Sequence, residues 1–420
     1  RRKQIEKTAI MRKVVQVISL ILFLFPSLGK GQTLDDYLVI AAENNPDLKA
    51  SYTQFKAALQ RVNQVNALAD PRLSFGYFIS PIETRVGPQR ARLSLTQIFP
   101  WFGTLKAKES SAKFFAEAKY QHFLDQKNKL FWQVHQAYYP LLELDKHIDL
   151  VQENIGILKT YKRLATSAYE NNRGSLADVI RVDIMIENAD TELSILKDQK
   201  VPLRVNFNRL LNRADTAIVQ LSEPLDFKPV EQDYRKDSLL VKNPQLTALD
   251  LQNEAIKANE QVAKKAAYPQ FGVGVDYAFI GERTDVNIPD NGQDAFMPMV
   301  SMRIPIFRKK YKAAIKEAEL GQESIQYQKE AVKNRLISNY EQVAFQLRKA
   351  EDLIQLYDSQ IKKSNQLIQL LYSSYSNSVE DFEEVLRMQQ QLLKYEMAKV
   401  TALKNHKMSL AEIEYLTFNN

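Results

Sequence analysis

The chain contains no cysteine among its 420 residues. Disulfides, thiolate metal sites and cysteine nucleophiles are therefore excluded. So is an N-terminal lipoprotein anchor, which needs a cysteine at the processing site. Histidine is scarce, and His122, His135, His147 and His406 are scattered, with no pair at ligand spacing. There is no Gly-x-Ser-x-Gly, no Walker loop and no His-Glu-x-x-His. Phe271-Gly272-Val273-Gly274 is half of a dinucleotide-binding fingerprint, but no βαβ pattern follows it. Acidic pairs such as Asp35-Asp36 and Glu383-Glu384 carry no pocket signature and read as solvated helix faces. No enzyme class finds support, and no cofactor is implied. Beyond residue 31 no apolar run approaches 18 residues, so no transmembrane helix is available.

The formal charge of +7 belongs to the N-terminal segment. Met11-Arg12-Lys13 leads into the apolar run Val14 to Phe25 and then small residues near Gly29 and Gly31, the pattern of a secretory signal cleaved before Gln32. That run is too short for an ordinary membrane span. Removing residues 1–31 takes seven of 57 basic and one of 50 acidic side chains, leaving a net charge of +1. Nucleic acid loses its electrostatic case as a partner. An exported chain of this kind is either soluble or enters a membrane as strands.

What the sequence does contain is a duplication. Asn45-Pro46 recurs as Asn243-Pro244, and Pro71 recurs as Pro269, both at an offset of 198. Ile98-Phe99-Pro100-Trp101-Phe102 recurs as Arg303-Ile304-Pro305-Ile306-Phe307 at 205, and Asp178-Val179-Ile180 as Glu384-Val385-Leu386 at 206. The chain divides accordingly. A leader, 1–31, precedes a first repeat, 32–211, with a leading helix, a hairpin over 71–99 and long helices over 105–171 and 175–211. A link, 212–238, holds a short strand over 217–221. The second repeat, 239–420, has a leading helix, a hairpin over 269–307 and long helices over 309–373 and 379–416.

In each hairpin apolar residues alternate with small or polar ones. Leu73, Phe75, Tyr77 and Ile79 share a face, as do Leu93, Leu95 and Phe99, then Phe271, Val273, Val275, Tyr277 and Phe279, then Phe296, Pro298, Val300, Met302, Ile304 and Ile306. Period-two alternation over about ten residues fits an outer-membrane strand, which tilted by about 40° spans about 25 Å. It also fits a half-buried hairpin in a soluble domain. Phe99, Trp101 and Phe102, with Phe307 in the second repeat, gather aromatics where strands end, like an interfacial belt. The turns, 81–90 and 281–295, are polar. Four strands cannot close a barrel and open edges cannot face lipid, so a membrane reading requires several chains; three would supply twelve strands.

The long helices carry heptad stripes. Val134, Ala137, Leu141, Leu144, Ile148, Val151, Ile155 and Leu158 form one; Ile354, Tyr357, Ile361, Ser364, Ile368, Leu371 and Tyr375 form the other. This spacing favours coiled-coil packing, and a helix of 67 residues is about 100 Å long. Pro140 and Pro202 are expected to kink their helices. Taken alone, these helices fit an inert antiparallel coiled coil better than a duct.

The signal segment, the two repeats, the Asn-Pro pairs and Phe99-Pro100-Trp101-Phe102-Gly103 leading into a long helix together resemble the TolC-type outer-membrane efflux factor family, over nearly the whole chain after the leader. The resemblance implies an α+β membrane protein, mostly α. It implies a homotrimer whose twelve-stranded β-barrel, four strands per chain, is continued by a helical coiled-coil tunnel in the periplasm. Such a duct sits in outer-membrane lipid. It works passively with a periplasmic adaptor (membrane fusion) protein and an inner-membrane pump of the RND type. By the same resemblance Gly174, Ser175, Ser378 and Val379 mark the helix-turn tips where the adaptor docks. Asp178 and Glu384 fall on the acidic gate position. Arg181 and Arg387, one turn on, stand where relatives often carry a second acid, so Asp178-Arg181 and Glu384-Arg387 latches replace a doubled acidic ring. The cargo is a small molecule or a metal cation; the Pro-Trp-Phe-Gly form leans towards metal exporters. The alternatives are the outer-membrane duct of a type I protein secretion system and a soluble exported coiled-coil scaffold.

Overall fold

The Asn-Pro pairs act as boundaries because proline drives its predecessor out of the helical region while asparagine caps the next helix. In the computed structural model, which describes residues 32–227, 236–285, 288–376 and 382–418, Asn45 is extended (φ −60°, ψ 124°) and its side-chain oxygen accepts a hydrogen bond from the Leu48 amide at 3.1 Å. Asn243 does the same for the Gln245 amide at 2.9 Å. The single leading helices expected in each repeat are therefore split. The first becomes α1 (Leu34–Asn44) and α2 (Pro46–Val65), and the second becomes α5 (Lys236–Val241) and α6 (Pro244–Ala266). Asn45→Ala should cost about 1 kcal/mol and speed hydrogen exchange in the first turn of α2, and Asn45→Ser should restore most of it.

The remaining elements are β1 (Arg72–Thr84), β2 (Gly87–Phe99), α3 (Thr104–Glu170), α4 (Leu176–Leu210), β3 (Gln270–Ile280), β4 (Ala295–Arg303), α7 (Lys309–Ser376) and α8 (Phe382–Thr417). The leader and the tip residues Ser378 and Val379 lie outside the described residues. α3 and α7 run 67 and 68 residues without a break, α3 continuing through Pro140 and α4 through Pro202. The segment over 217–221 is not a strand. It binds α1 instead: the Gln220 amide donates to the Tyr37 hydroxyl at 2.8 Å, and no neighbouring strand supplies a ladder.

The strands form one antiparallel sheet in the order β1-β2-β3-β4. The first hairpin has the expected bounds, but its strands run further into the turn than its sequence suggests. The polar stretch over 81–90 is mostly strand, and the turn shrinks to Arg85-Val86 between the paired Thr84 and Gly87. Pro81, which cannot donate to a ladder, falls in the register shift between Tyr77 and Ile82. Gly87 holds φ +134°, and any Cβ there would meet the Gly281 carbonyl oxygen at 1.8 Å, so the turn needs glycine. β4 ends at Arg303, which leaves Ile304 and Ile306 beyond the sheet.

The chain forms two units. In the first, comprising described residues within 1–44, 133–229 and 348–408, the first heptad stripe is interior: Val134, Leu141, Leu144, Val151, Ile155 and Leu158 are buried. Leu144, Val151, Ile155 and Leu158 pack with Val182, Met185, Ala189, Val385 and Leu386 from the returning helices, and Phe207 touches both Tyr37 and Tyr138. In the second unit, 45–132, 230–347 and 409–420, the core is Leu239, Leu246, Leu336, Val343, Leu347, Ile413 and Leu416, with Trp132 stacked on Tyr415.

Candidate functional site

Register places the apolar alternation of all four strands on one face. Across the sheet run the rows Leu73, Leu95, Val275, Pro298 and Phe75, Leu93, Tyr277, Phe296, while Val273 faces Val300 and Phe99 and Phe271 lead to Met302. This face is uncovered: Phe75 is 67% exposed, Ile79 93% and Val300 82%. The opposite face carries Arg72, Ser74, Gly76, Arg92, Ser94, Thr96, Gly274, Asp276 and Ser301, with Asp276 paired to Arg92. A sheet that exposes its apolar side and keeps its ion pair on the other has the polarity of a membrane strand, not of a soluble hairpin. Among the described residues β1 and β4 have no further sheet partner. No described helix is long and apolar enough to cross a membrane.

At the strand ends the four expected belt residues divide. Phe102 and Phe307 are 78% and 83% exposed and Phe99 is partly exposed. Trp101 lies flat against Tyr268 at 5.0 Å and Phe271 at 6.0 Å. Tyr268 completes the belt and was not expected from sequence, since a lone tyrosine before Pro269 carries no periodic signal. Lys265 donates to the Phe102 carbonyl at 3.2 Å and fixes the turn into α3.

The second cluster lies where α3 turns back into α4. α3 ends with Asn172 in the left-handed region (φ 59°), and the Arg173 amide donates to the Ala168 carbonyl at 2.8 Å. Asparagine thus takes the conformation that glycine usually supplies. A Cβ at Gly174 would stand 3.0 Å from the Ala168 methyl, a tight contact that the neighbour would have to yield to. Ser175 caps α4, accepting from the Ala177 amide at 3.1 Å while Asp178 accepts from the Ser175 amide at 3.4 Å. Asp178 therefore has a structural duty at the helix end.

Arg181 donates to Asp178 at 3.1 Å and reaches Glu383 at the start of α8, also at 3.1 Å. Glu384 pairs with Arg387 on its own helix. Lys162 of α3 bridges Asp183 of α4 at 2.5 Å. Sequence reasoning missed Glu383 as the residue that joins the two helix turns. It adjoins the flagged Glu384, and only tertiary placement distinguishes a glutamate facing the other turn from one facing along its own helix. Beneath these charges Phe382 is buried between Tyr375 (4.9 Å, tilted) and Tyr161 (5.8 Å, edge-on). Burial, then the charge of Asp178, pushes the Tyr375 phenol above its ordinary value, and burial does the same for Tyr161. Among the described residues no group of three or more His, Asp or Glu is placed to hold a metal ion.

The sequence profile described as outer membrane efflux protein matches residues 38–213 and 237–417, most of the chain and in two segments. The chain belongs to the outer membrane efflux protein family. It is similar to the pyoverdine export outer membrane protein OpmQ of Pseudomonas putida, at 22% identity over 387 residues, 86% of this chain and 80% of that protein. The fold matches the crystal structure of the outer membrane protein VceC from Vibrio cholerae with a TM-score of 0.72, at 16% identity and covering 91% of this chain and 96% of that one. It matches the Campylobacter jejuni CmeC outer membrane channel with a TM-score of 0.74, at 12% identity over 91% and 85%. As an outer membrane efflux protein the chain is a channel and not a catalyst, placed in the outer membrane with a helical periplasmic part. Its duplicated architecture follows the two matched segments.

Proposed function

We propose that this outer membrane efflux protein is the exit duct of a tripartite system, in which three copies close one barrel and an inner-membrane pump drives cargo through it by way of a periplasmic adaptor. The observation that carries this reading is the uncovered apolar face shared by four strands with two unpaired edges. Unpaired backbone groups are not tolerated in hydrocarbon, and the smallest transmembrane barrels have about eight strands. One chain therefore needs copies of itself, and three give the twelve strands that the family resemblance implies. The pump is of the RND type on the same resemblance. The cargo is a small molecule, a reading supported by the export role in the name of the relative OpmQ. Electron microscopy of the full chain extracted in mild detergent should show a threefold particle with a short barrel. A soluble monomer, or a particle without threefold symmetry, would overturn the assembly.

The helix-turn tips form the gate and the adaptor docking surface, with Gly174 and Ser175 in the first turn and Ser378 and Val379 in the second. The ion pair of Arg181 with Glu383 holds the turns together in the closed duct, with Asp178 also bound to Arg181, while Glu384-Arg387 adds a polar pair along α8. These side chains are 20–70% exposed, so each pair contributes less than about 1 kcal/mol. Arg181→Gln should therefore raise the open-to-closed ratio in planar bilayers no more than about fivefold per chain. Asp178→Asn retains a capping acceptor while removing charge, and with Glu384→Gln should reduce block by cations. Conductance and block unchanged in these variants would remove the residues from the gate.

A further inference from the structure

We propose that Arg61 and Lys108 bind the anionic headgroup of a phospholipid in the periplasmic leaflet of the outer membrane, with its apolar part in a trough between α2, α3 and α6. The site rests on the reading of the sheet as membrane-spanning. The trough has a volume of about 480 Å³, within the range of small-molecule sites. Its floor is made of small residues, Ala112 and Ala255, held close where the Ser111 hydroxyl donates to the Ala255 carbonyl at 2.9 Å. Val65, Phe115, Ile256 and Val262 form its walls. This is an apolar surface that no described part of the chain covers, and the two charged residues lining it are both cations.

Arg61 and Lys108 are exposed, and among the described residues neither has a carboxylate partner. Their depth is informative. Lys108 stands about one turn into α3, and Arg61 about one turn before the end of α2, some 5–6 Å along each helix from the strand side. The polar layer of a bilayer adds about 5–8 Å to each side of its hydrocarbon core. Two unpaired cations therefore lie at headgroup depth, just below the aromatic stack of Trp101, Tyr268 and Phe271. Val65 and Val262 continue the apolar surface from them towards the strands. A zwitterionic lipid would fill the trough but bring a phosphate already balanced by its own cation; an anionic headgroup brings net negative charge to the two cations and so answers both features. A bound lipid would hold the collar of helices at the membrane surface.

The test uses the full chain in nanodiscs of phosphatidylcholine, with or without phosphatidylglycerol, and native mass spectrometry of retained lipid. Wild-type protein should retain phosphatidylglycerol in preference to phosphatidylcholine. R61Q/K108Q should weaken that retention roughly twenty- to thirtyfold, from about fivefold per cation, with its melting temperature in phosphatidylcholine unchanged. R61K/K108R should restore it. Equal retention of the two lipids by wild type, or undiminished phosphatidylglycerol on R61Q/K108Q, would overturn the site while leaving the duct intact. A double variant that loses its oligomeric state in phosphatidylcholine would instead assign the trough to a neighbouring copy and also overturn the lipid. Wild-type protein that fails to enter nanodiscs would sink the membrane reading and the site together.

Discussion

Val300→Arg should prevent stable insertion in the outer membrane, whereas Met299→Arg, one residue earlier in the same strand, should be tolerated. Val300 is 82% exposed on the apolar face and pairs with Val273, two residues from the centre of β3. Met299 pairs with Gly274 on the polar face. An arginine on the lipid side near the bilayer midplane costs about 2–4 kcal/mol, and three chains in one barrel would each bear it. The lumen side imposes no such penalty. Membrane fractions washed with urea distinguish the outcomes: Val300→Arg should be released or degraded, and Met299→Arg retained. Equal retention of the two variants would mean that this face does not contact lipid. The comparison is informative because both substitutions introduce the same residue at adjacent positions of one strand, on opposite faces of the sheet.

Phe382→Ala should loosen the helix tips more than removal of any single charge there. Phe382 is 2% exposed, with Tyr161 and Tyr375 against its ring and Val182, Val385 and Leu386 in the same core. Truncating a buried phenylalanine costs about 3–5 kcal/mol through lost transfer energy and the cavity left behind. The exposed pair Arg181-Glu383 is worth less than about 1 kcal/mol. Hydrogen exchange should thus quicken around residues 158–165 and 382–386 in Phe382→Ala far more than in Arg181→Gln. If these turns form the gate, the same variant should raise the duct's open probability well beyond the fivefold expected for the arginine. Conductance left at the wild-type level with exchange clearly accelerated would separate tip packing from gating. Phe382→Leu, which keeps most of the apolar volume, should recover the larger part of both.

These two variants probe what was most and least legible in the sequence. The alternation of Leu73, Phe75, Tyr77 and Ile79 against Arg72, Ser74 and Gly76 is local. It names the lipid face before any partner strand is known, because successive side chains in a strand must point to opposite sides. The heptad stripe from Val134 to Leu158 is likewise local, and its members are interior or half-buried in the fold. The turn of the first hairpin was misjudged. Pro81 and the polar residues after it look like a loop, yet β1 and β2 pair on to Thr84 and Gly87 once a register shift absorbs the proline. The split at Asn45-Pro46 was visible as a repeated motif, but its consequence, one helix becoming two, came from proline sterics acting with a side-chain cap.

The sequence by itself determined the duplication, the two strand faces, the coiled-coil stripes and the absence of cysteine chemistry. Each follows from identity or periodicity along the chain, and neighbouring residues carry that information. Tertiary structure alone decided that Arg181 meets Glu383, that Tyr268 stacks on Trp101, and that Arg61 and Lys108 line one trough. Those pairs are separated by 202, 167 and 47 positions. Nothing periodic links them; they meet because helices packed through their heptad stripes and strands held in register bring distant turns together, and only that packing selects which of several similar charges or aromatics face each other.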